Sequence, residues 1–360
     1  MVETPGPLPI GATIGILGGG QLGRMLSVAA SRLGFLTHIY EPGANPPAGQ
    51  VADRVTTAAY DDREALTAFA ASVDVITYEF ENIPTEALDI LETKRPIRPG
   101  REALRISQDR LTEKTCLQGL GLRTAPFADI ASLEDLTRAV DEIGTPAILK
   151  TRRFGYDGKG QSRIAAPADA EAAFAEMAGA PAILEGFVDF SHEVSVIAAR
   201  GTDGQVACFD PGENLHRDGI LRATTVPARL SSAQRTDAVL LAANILNALD
   251  YIGVLGVELF VTSQGLIVNE IAPRVHNSGH WTQNGCTVDQ FEQHIRAVIG
   301  WPLGDGQRYA DVVMENLIGD DMEQVPVLSR QPMTALHLYG KTEIKPGRKM
   351  GHVNRIVRKD

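Results

Sequence analysis

The run Val254-Leu255-Gly256-Val257-Glu258-Leu259-Phe260-Val261, continued after Thr262-Ser263-Gln264-Gly265 by Leu266-Ile267-Val268-Asn269-Glu270, governs the reading of this chain. Two β-branched runs joined by turn residues form a hairpin. With residues 262 and 266 facing each other across the turn, 258 pairs with 270. Glu258 and Glu270 then stand opposite on one face, with Cβ atoms about 5 Å apart. Two such carboxylates repel unless a proton or cation lies between them, and oxygen donors suit a hard ion such as Mg²⁺ shared with phosphates. Asn269 adds an amide oxygen beside them. A solvated surface hairpin is the simplest alternative for two lone glutamates. The continuation Ile271-Ala272-Pro273-Arg274-Val275-His276-Asn277-Ser278-Gly279-His280-Trp281 argues against it. Guanidinium, imidazole and amide groups crowd beside the carboxylates, a mixture no packed core needs. Arg274, His276 and Asn277 are placed to grip a small oxyanion.

Outside that run, 360 residues allow two or three domains, each with its own core. The net charge of −11 argues against nucleic acid as a partner, so an anionic substrate must be met by local basic residues. Cys116, Cys208 and Cys286 fit no metal or disulfide spacing and read as reduced and buried, which implies a cytoplasmic location. The start has neither a basic n-region nor an apolar stretch, and no segment reaches membrane-spanning length. No export or anchoring is expected, and no repeat is visible.

From Thr13 to Pro99, short β-branched runs (Thr13–Leu17, Leu36–Tyr40, Val73–Thr77) alternate with helical stretches (Gln21–Leu33, Asp61–Ala71), the pattern of a doubly wound parallel sheet. A helical region, Glu102–Leu120, leads out of it. Strand Ala147–Lys150, a glycine-rich loop, strand Ser162–Ala165, helix Ala168–Ala178 and strand Ala182–Glu185 suggest a small α+β unit. Longer strands follow (Glu193–Arg200, Val206–Phe209, Ala223–Val226), then helix Ala233–Leu249 opened by the capping pattern at Ser231 and Gln234. Residues 333–357 alternate strand-like stretches with Pro346-Gly347 and carry the basic residues Lys341, Lys345, Arg348 and Lys349.

Gly18-Gly19-Gly20-Gln21-Leu22-Gly23 with Glu41 satisfies a dinucleotide fingerprint. Its physical content is narrower: glycines let backbone approach a phosphate at a helix N-terminus, and they also allow tight strand-to-helix packing. A nicotinamide cofactor, another phosphate ligand and a structural role all stay open. Lys150 ends its strand beside Arg152-Arg153-Phe154-Gly155-Tyr156-Asp157-Gly158-Lys159-Gly160-Gln161, a loop suited to covering a polyphosphate or, alternatively, a solvated turn. It lacks the Gly-Lys-Ser/Thr ending of a Walker motif. Glu185 with Gly186-Phe187-Val188 offers backbone groups to an adenine edge, and Glu193 offers a carboxylate to ribose hydroxyls or to solvent. His216, in a polar loop, is a secondary candidate.

Taken together, five blocks resemble the ATP-grasp superfamily and, within it, the N5-carboxyaminoimidazole ribonucleotide synthetases: residues 18–25, 154–161, 214–220, 272–281 and 347–352, in that order. The resemblance implies an α/β and α+β architecture: an N-terminal doubly wound domain (1–105), a small ATP-lid domain (106–187) and a large ATP-binding domain (188–360). It implies that ATP and bicarbonate carboxylate 5-aminoimidazole ribonucleotide through carboxyphosphate, with ADP and phosphate released. By that resemblance Arg110, Lys150, Asn269, His216 and the lid residues Gly155, Tyr156, Asp157, Gly158, Lys159, Gly160 and Gln161 bind ATP, Glu185 to Val188 its adenine and Glu193 its ribose. Glu258 and Glu270 hold Mg²⁺, and Arg274, His276 and Asn277 hold bicarbonate or carboxyphosphate. The ribonucleotide lies against Gln21, Glu79, Tyr156, Asp157 and Lys159, its phosphate on Lys341 and Arg348.

The resemblance also implies a homodimer. Two departures stand out. Family members continue well past the 347–352 block, so a shortened end with a loosened C-terminal domain is expected. Lys159 stands where arginine is common, with loss of a bidentate donor. A dehydrogenase, a non-catalytic ATP-binding regulator and ATP-grasp relatives acting through formyl phosphate or on biotin are the alternatives.

Overall fold

The structure, a computed structural model, describes residues 6–155 and 158–357. Strands β1 (Thr13–Leu17), β2 (Leu36–Tyr40), β3 (Arg54–Thr56) and β4 (Val75–Tyr78) make the expected parallel sheet, in the order β3-β2-β1-β4. Helices α1 (Gln21–Arg32), α2 (Arg63–Ala71) and α3 (Thr85–Glu92) accompany it. Burial on both faces explains why its central strands read as unbroken apolar runs. Gly15 of β1 admits α2, since a Cβ there would lie 2.7 Å from the Phe69 ring.

The helical region expected over 102–120 is two helices, α4 (Arg101–Ser107) and α5 (Arg110–Gly119). Asp109 causes the break. Its carboxylate accepts hydrogen bonds from Leu111 N (3.0 Å) and Thr112 N (3.2 Å), a cap that requires extended backbone at residue 109. The same carboxylate pairs with Arg152 at 2.8 Å, which ties the start of α5 to the base of the glycine-rich loop.

Strands β5 (Phe127–Ile130), β6 (Ala147–Thr151), β7 (Gln161–Ile164) and β8 (Ala182–Gly186) form an antiparallel sheet in the order β5-β8-β6-β7. Helices α6 (Leu133–Ile143) and α7 (Ala170–Glu176) pack on it. The sequence reading passes over β5 and α6. β5 is only four residues long, but Ser132, which accepts from Asp135 N, marks the start of α6.

The third sheet contains β9 (His192–Arg200), β10 (Val206–Cys208), β11 (Gly212–Arg217), β12 (Ile220–Val226), β13 (Gly253–Thr262), β14 (Gly265–Ala272), β15 (Asp311–Ile318), β16 (Thr334–Leu338) and β17 (Lys349–Val357). Its order is β14-β13-β9-β11-β12-β15-β17-β16, with β10 beside β9. Helix α8 (Ser232–Ala248) carries the anticipated capping box, and α9 (Thr282–Gly285) and α10 (Gln290–Ile299) follow β14. The stretch read as a polar loop around His216 is β11 and its turn into β12. Cys286 is buried, but Cys116 and Cys208 are only half-buried; all three are free thiols.

One histidine joins the first sheet to the third. Val254 N donates to His294 Nδ1 (3.0 Å), so Nδ1 is an acceptor and Nε2 carries the hydrogen that faces Thr77 Oγ1 at 2.8 Å. Burial pushes His294 down to about 3, so it holds this junction as a neutral ring.

Replacing Asp109 with Ala should lower the unfolding free energy by about 1 kcal/mol through loss of the cap. Asp109→Asn should retain much of that term while losing the Arg152 ion pair. Urea denaturation of both variants checks the order, and equal losses would refute the capping role.

Candidate active site

The hairpin turn is one residue tighter than the sequence suggests, because Thr262 pairs with Gly265 and Val261 with Leu266. Continued without interruption, that register would set Glu258 against Asn269. A bulge between Glu258 and Leu259 makes Asn269 the extra residue and restores Glu258 opposite Glu270. The expected carboxylate pair is therefore present, by a bulge that the turn residues do not announce.

Both glutamates line a cavity of about 620 Å³ that the three sheets share. Burial, and then the charge of Glu270, push Glu258 up to about 7. Arg110 at the start of α5 reaches Glu270 at 3.2 Å. Next to it on the same helix, burial followed by Glu270 pushes the Glu113 carboxyl up to about 8, while Ile271 N donates to it at 2.6 Å. Glu193 and His216 approach within 2.9 Å. Burial opposes a charged imidazole at His216, but the contact with Glu193 outweighs it and holds the proton more tightly than usual. Glu193, His216 and Glu258 each bring a ligand atom within 4.8 Å of the others.

The Arg274–Asn277 run lies beside this pair. Arg274 donates to Glu81 from Nε (2.6 Å) and Nη2 (3.3 Å). Burial alone would raise Glu81, yet the guanidinium overrides it and holds the carboxyl at about 2. His276 is held on several sides: Gln290 accepts from its N–H (2.9 Å) and donates to its carbonyl (2.8 Å), while Nδ1 meets Ser278 Oγ at 2.8 Å. Gly256 makes room for the ring, since a Cβ there would fall 2.8 Å from His276 Cβ. Burial, then Arg274, push His276 down to about 3, so it is neutral at physiological pH. Both amide atoms of Asn277 are buried without a hydrogen-bond partner, although the residue lines the cavity.

Lys150 approaches Glu185 at 2.8 Å and Lys114 approaches the same oxygen at 3.4 Å. Glu185 is buried; its Oε2 meets both lysines and its Oε1 has no hydrogen-bond partner. The N–H groups of Gly186 and Phe187 donate to Pro126 O and Pro146 O, so they are not free for an adenine edge. Phe187 is half exposed, and neither it, Gly186 nor Val188 lines the cavity. Among the loop residues, Gly155, Gly158, Lys159 and Gln161 do line it, and Gly160 does not. Gly158 lies against the β11–β12 turn, where a Cβ would be 3.4 Å from Gly219 Cα. Tyr156 and Asp157 lie outside the described residues.

The glycine-rich start of α1 behaves differently from a phosphate loop. Gly20 N and Gly23 N (2.7 Å) both donate to the Glu79 carboxylate, and Gly19 N donates to Glu41 (2.8 Å). The chain's own carboxylates occupy the donors that a dinucleotide pyrophosphate would need, which removes the reason for a dehydrogenase reading. Burial raises Glu79 despite these hydrogen bonds. Gln21 and Glu79 line the cavity; Lys341 and Arg348 do not. Lys349 reaches the cavity instead, and Lys341 donates to its carbonyl at 2.7 Å. Burial, then Arg348, lower Lys341 to about 8.

Glu81, Glu113 and Lys114 escaped the sequence reading, and Lys349 entered it only as a member of the C-terminal basic cluster. Arg110, Glu113 and Lys114 share one helical face by their spacing, a signal that was available. Nothing local marks Glu81.

Three antiparallel and parallel sheets around one cation-rich, carboxylate-bearing cavity define an ATP-grasp protein. The ATP-grasp domain profile matches residues 115–291, the ribonucleotide synthetase preATP-grasp domain 11–108, and the phosphoribosylaminoimidazole carboxylase C-terminal domain 312–360. The chain is 56% identical over 349 residues to N5-carboxyaminoimidazole ribonucleotide synthase of Brucella melitensis biotype 1, covering 96% of each. It is 45% identical to the Bacillus subtilis enzyme of that name over 95% of this chain and 91% of the relative. The crystal structure of the Aspergillus clavatus synthase in complex with ADP and 5-aminoimidazole ribonucleotide superposes with a TM-score of 0.92 at 31% identity, covering 97% of this chain and 94% of that one. The chain belongs to the family of N5-carboxyaminoimidazole ribonucleotide synthases.

The raised value of Glu258 makes a signed prediction. A carboxyl whose folded value exceeds its unfolded one contributes stability at low pH that is lost as pH rises through the folded value. In chelator, Glu258→Gln should therefore be more stable than the parent at pH 8, and the difference should close toward pH 5. Parallel curves for the two proteins over that range would contradict the electrostatic account.

Proposed function

We infer that this chain carboxylates 5-aminoimidazole ribonucleotide to N5-carboxyaminoimidazole ribonucleotide at the expense of ATP, with release of ADP and phosphate, in purine biosynthesis. The observation that carries the reading is the facing pair Glu258 and Glu270, set in one cavity with Arg110, Lys150 and the Arg274–Asn277 run. Bicarbonate as carbon source, reaction through carboxyphosphate, and Mg²⁺ belong to this proposal.

The donor set fits Mg²⁺: two carboxylates and the Asn269 amide supply oxygen ligands, and burial, then the charge of Glu270, raises Glu258. Bound there, Mg²⁺ would neutralise charge on the transferring phosphoryl group. Arg110 and Lys150 are the cations for the ATP phosphates, and Glu193 and His216 face the same space. Glu185 orients Lys150 through its side chain, and the Glu185–Val188 segment remains our assignment for the adenine side. Arg274, pinned by Glu81, brings positive charge to the oxyanion. Neutral His276 acts as a hydrogen-bonding partner or base rather than a cation, and Asn277 has both amide atoms free to meet bicarbonate or carboxyphosphate.

The Gly155–Gln161 loop, with Lys159 on it, would exclude water from the labile acyl phosphate; its contact with Gly219 supports that role. The ribonucleotide is assigned to Gln21, Glu79, Tyr156, Asp157 and Lys159, with Lys341 and Arg348 at its phosphate and Lys349 between them and the cavity. We propose the division 1–105, 106–187 and 188–360, each segment of which carries one sheet. A cytoplasmic homodimer completes the proposal. Three free thiols suit a reducing compartment, and among the described residues no helix is long and apolar enough to cross a membrane.

ADP release from MgATP should require both 5-aminoimidazole ribonucleotide and bicarbonate when assayed in degassed buffer. Release independent of the ribonucleotide would overturn the carboxylase reading, and no release at all would favour a non-catalytic nucleotide binder. Glu270→Gln should reduce phosphoryl transfer to background while the ribonucleotide still binds, because it removes charge at the metal and leaves the acceptor pocket intact. Near-parent turnover would take Glu270 out of the metal site.

A further inference from the structure

We propose that Glu113 and Lys114, adjacent on α5, are positioning residues that hold the Glu270 carboxylate in register by clamping the backbone on both sides of it. Ile271 N, one residue after Glu270, donates to Glu113 Oε1 at 2.6 Å. Asn269 O, one residue before it, accepts from Lys114 Nζ at 3.0 Å. From the same face of the same helix, Arg110 Nη1 reaches the Glu270 carboxylate itself at 3.2 Å. Arg110 and, one helical turn on, Glu113 and Lys114 thus grip residue 270 by its side chain and by the peptide groups flanking it.

The clamp has a specific target. β14 is the edge strand of its sheet, and its pairing with β13 is interrupted next to Glu258, so the strand's register is least determined at residues 269–271. A slip there would set Asn269 opposite Glu258 and turn Glu270 away. Glu113 and Lys114 are 4% and 2% exposed, a costly location for charged groups unless each is engaged. An apolar pair would pack as well but would leave the two peptide groups of the edge strand without partners. Lys114 also lies 3.4 Å from the Glu185 oxygen that receives Lys150, so the Glu270 segment and the lysine of β6 share one anchor. Groups that orient ligand-bearing residues commonly affect metal affinity tenfold to a hundredfold.

This inference rests on the reading of Glu258 and Glu270 as the metal pair. It is tested by calorimetric titration of ADP into the parent, Glu113→Ala, Glu113→Gln and Lys114→Met, each with Mg²⁺ and with chelator. The parent should bind ADP more tightly when Mg²⁺ is present. Glu113→Ala should lose about tenfold of that increment with its chelator affinity unchanged, whereas Glu113→Gln, which keeps an acceptor for Ile271 N, should retain it. Lys114→Met should also lose the increment. A purely structural role would lower the melting temperature and leave the increment alone. Retention of the full increment in Glu113→Ala, or equal loss in Glu113→Ala and Glu113→Gln, overturns the proposal. If Glu113→Ala does not fold, Glu113→Gln against Lys114→Met decides in the same way. A parent without any Mg²⁺ increment overturns the metal reading itself and this inference with it.

Discussion

Two carboxylates facing each other across an antiparallel ribbon cannot both ionise comfortably, and the surroundings of Glu258 and Glu270 are arranged around that constraint. Arg110 lies against one of them, and burial, then the charge of its partner, pushes the other up to about 7. The pair is a local demand for positive charge at the wall of the cavity. Arg274 could answer that demand, but Glu81 pairs with it in two contacts and leaves it beside the carboxylates, not between them. The guanidinium is thus committed to Glu81, and under the proposed function the gap between the carboxylates is left to a cation.

The same logic explains how an acidic chain serves anionic substrates. With a formal charge of −11, it concentrates cations locally and holds each by a carboxylate: Lys150 and Lys114 on Glu185, Arg152 on Asp109, Arg274 on Glu81. At the glycine-rich turn the arrangement is inverted, and Glu79 and Glu41 fill a ready-made anion site. The glycines permit that close approach: a Cβ at Gly20 would fall 2.6 Å from the Glu79 carboxylate. The turn thus fixes a carboxylate at the wall of the cavity instead of gripping a pyrophosphate.

How much of this was legible in the sequence depends on range. The doubly wound sheet, the α8 capping box and the hairpin follow from local periodicity and turn chemistry, which act over a few residues. The Glu258–Glu270 pair was read correctly although the turn is tighter than assumed, because the bulge at Asn269 cancels the error. Bulges are set by neighbours beyond the hairpin, here α5, and no hairpin sequence encodes them alone. His216 was placed in a loop because its strand is short and polar, a pattern that only its pairing with β9 and β12 resolves. Lys341 and Arg348 were favoured over Lys349 on resemblance, but Lys349, the first residue of β17, is the one of the three that lines the cavity.

That last strand shows why site and scaffold cannot be separated here. β17 runs between β15 and β16, brings Lys349 to the cavity, and three residues later sets His352 between His280 and His337, with ring centroids 4.6 and 4.5 Å away. Asn354 then donates to His280 O at 3.0 Å and to Asn284 Oδ1 at 2.8 Å. His280 lies four residues after His276, and Gln290 contacts the ring of the first and the backbone of the second. Burial holds His280 and His352 well below the ordinary imidazole range, so the stacked rings are neutral and carry no mutual repulsion. The C-terminal strands consequently form the floor on which the His276 loop rests. Any shift of β17 moves a cavity lysine and a loop-bearing histidine together, which couples the Lys349 side of the cavity to the His276 side through ring packing and hydrogen bonds.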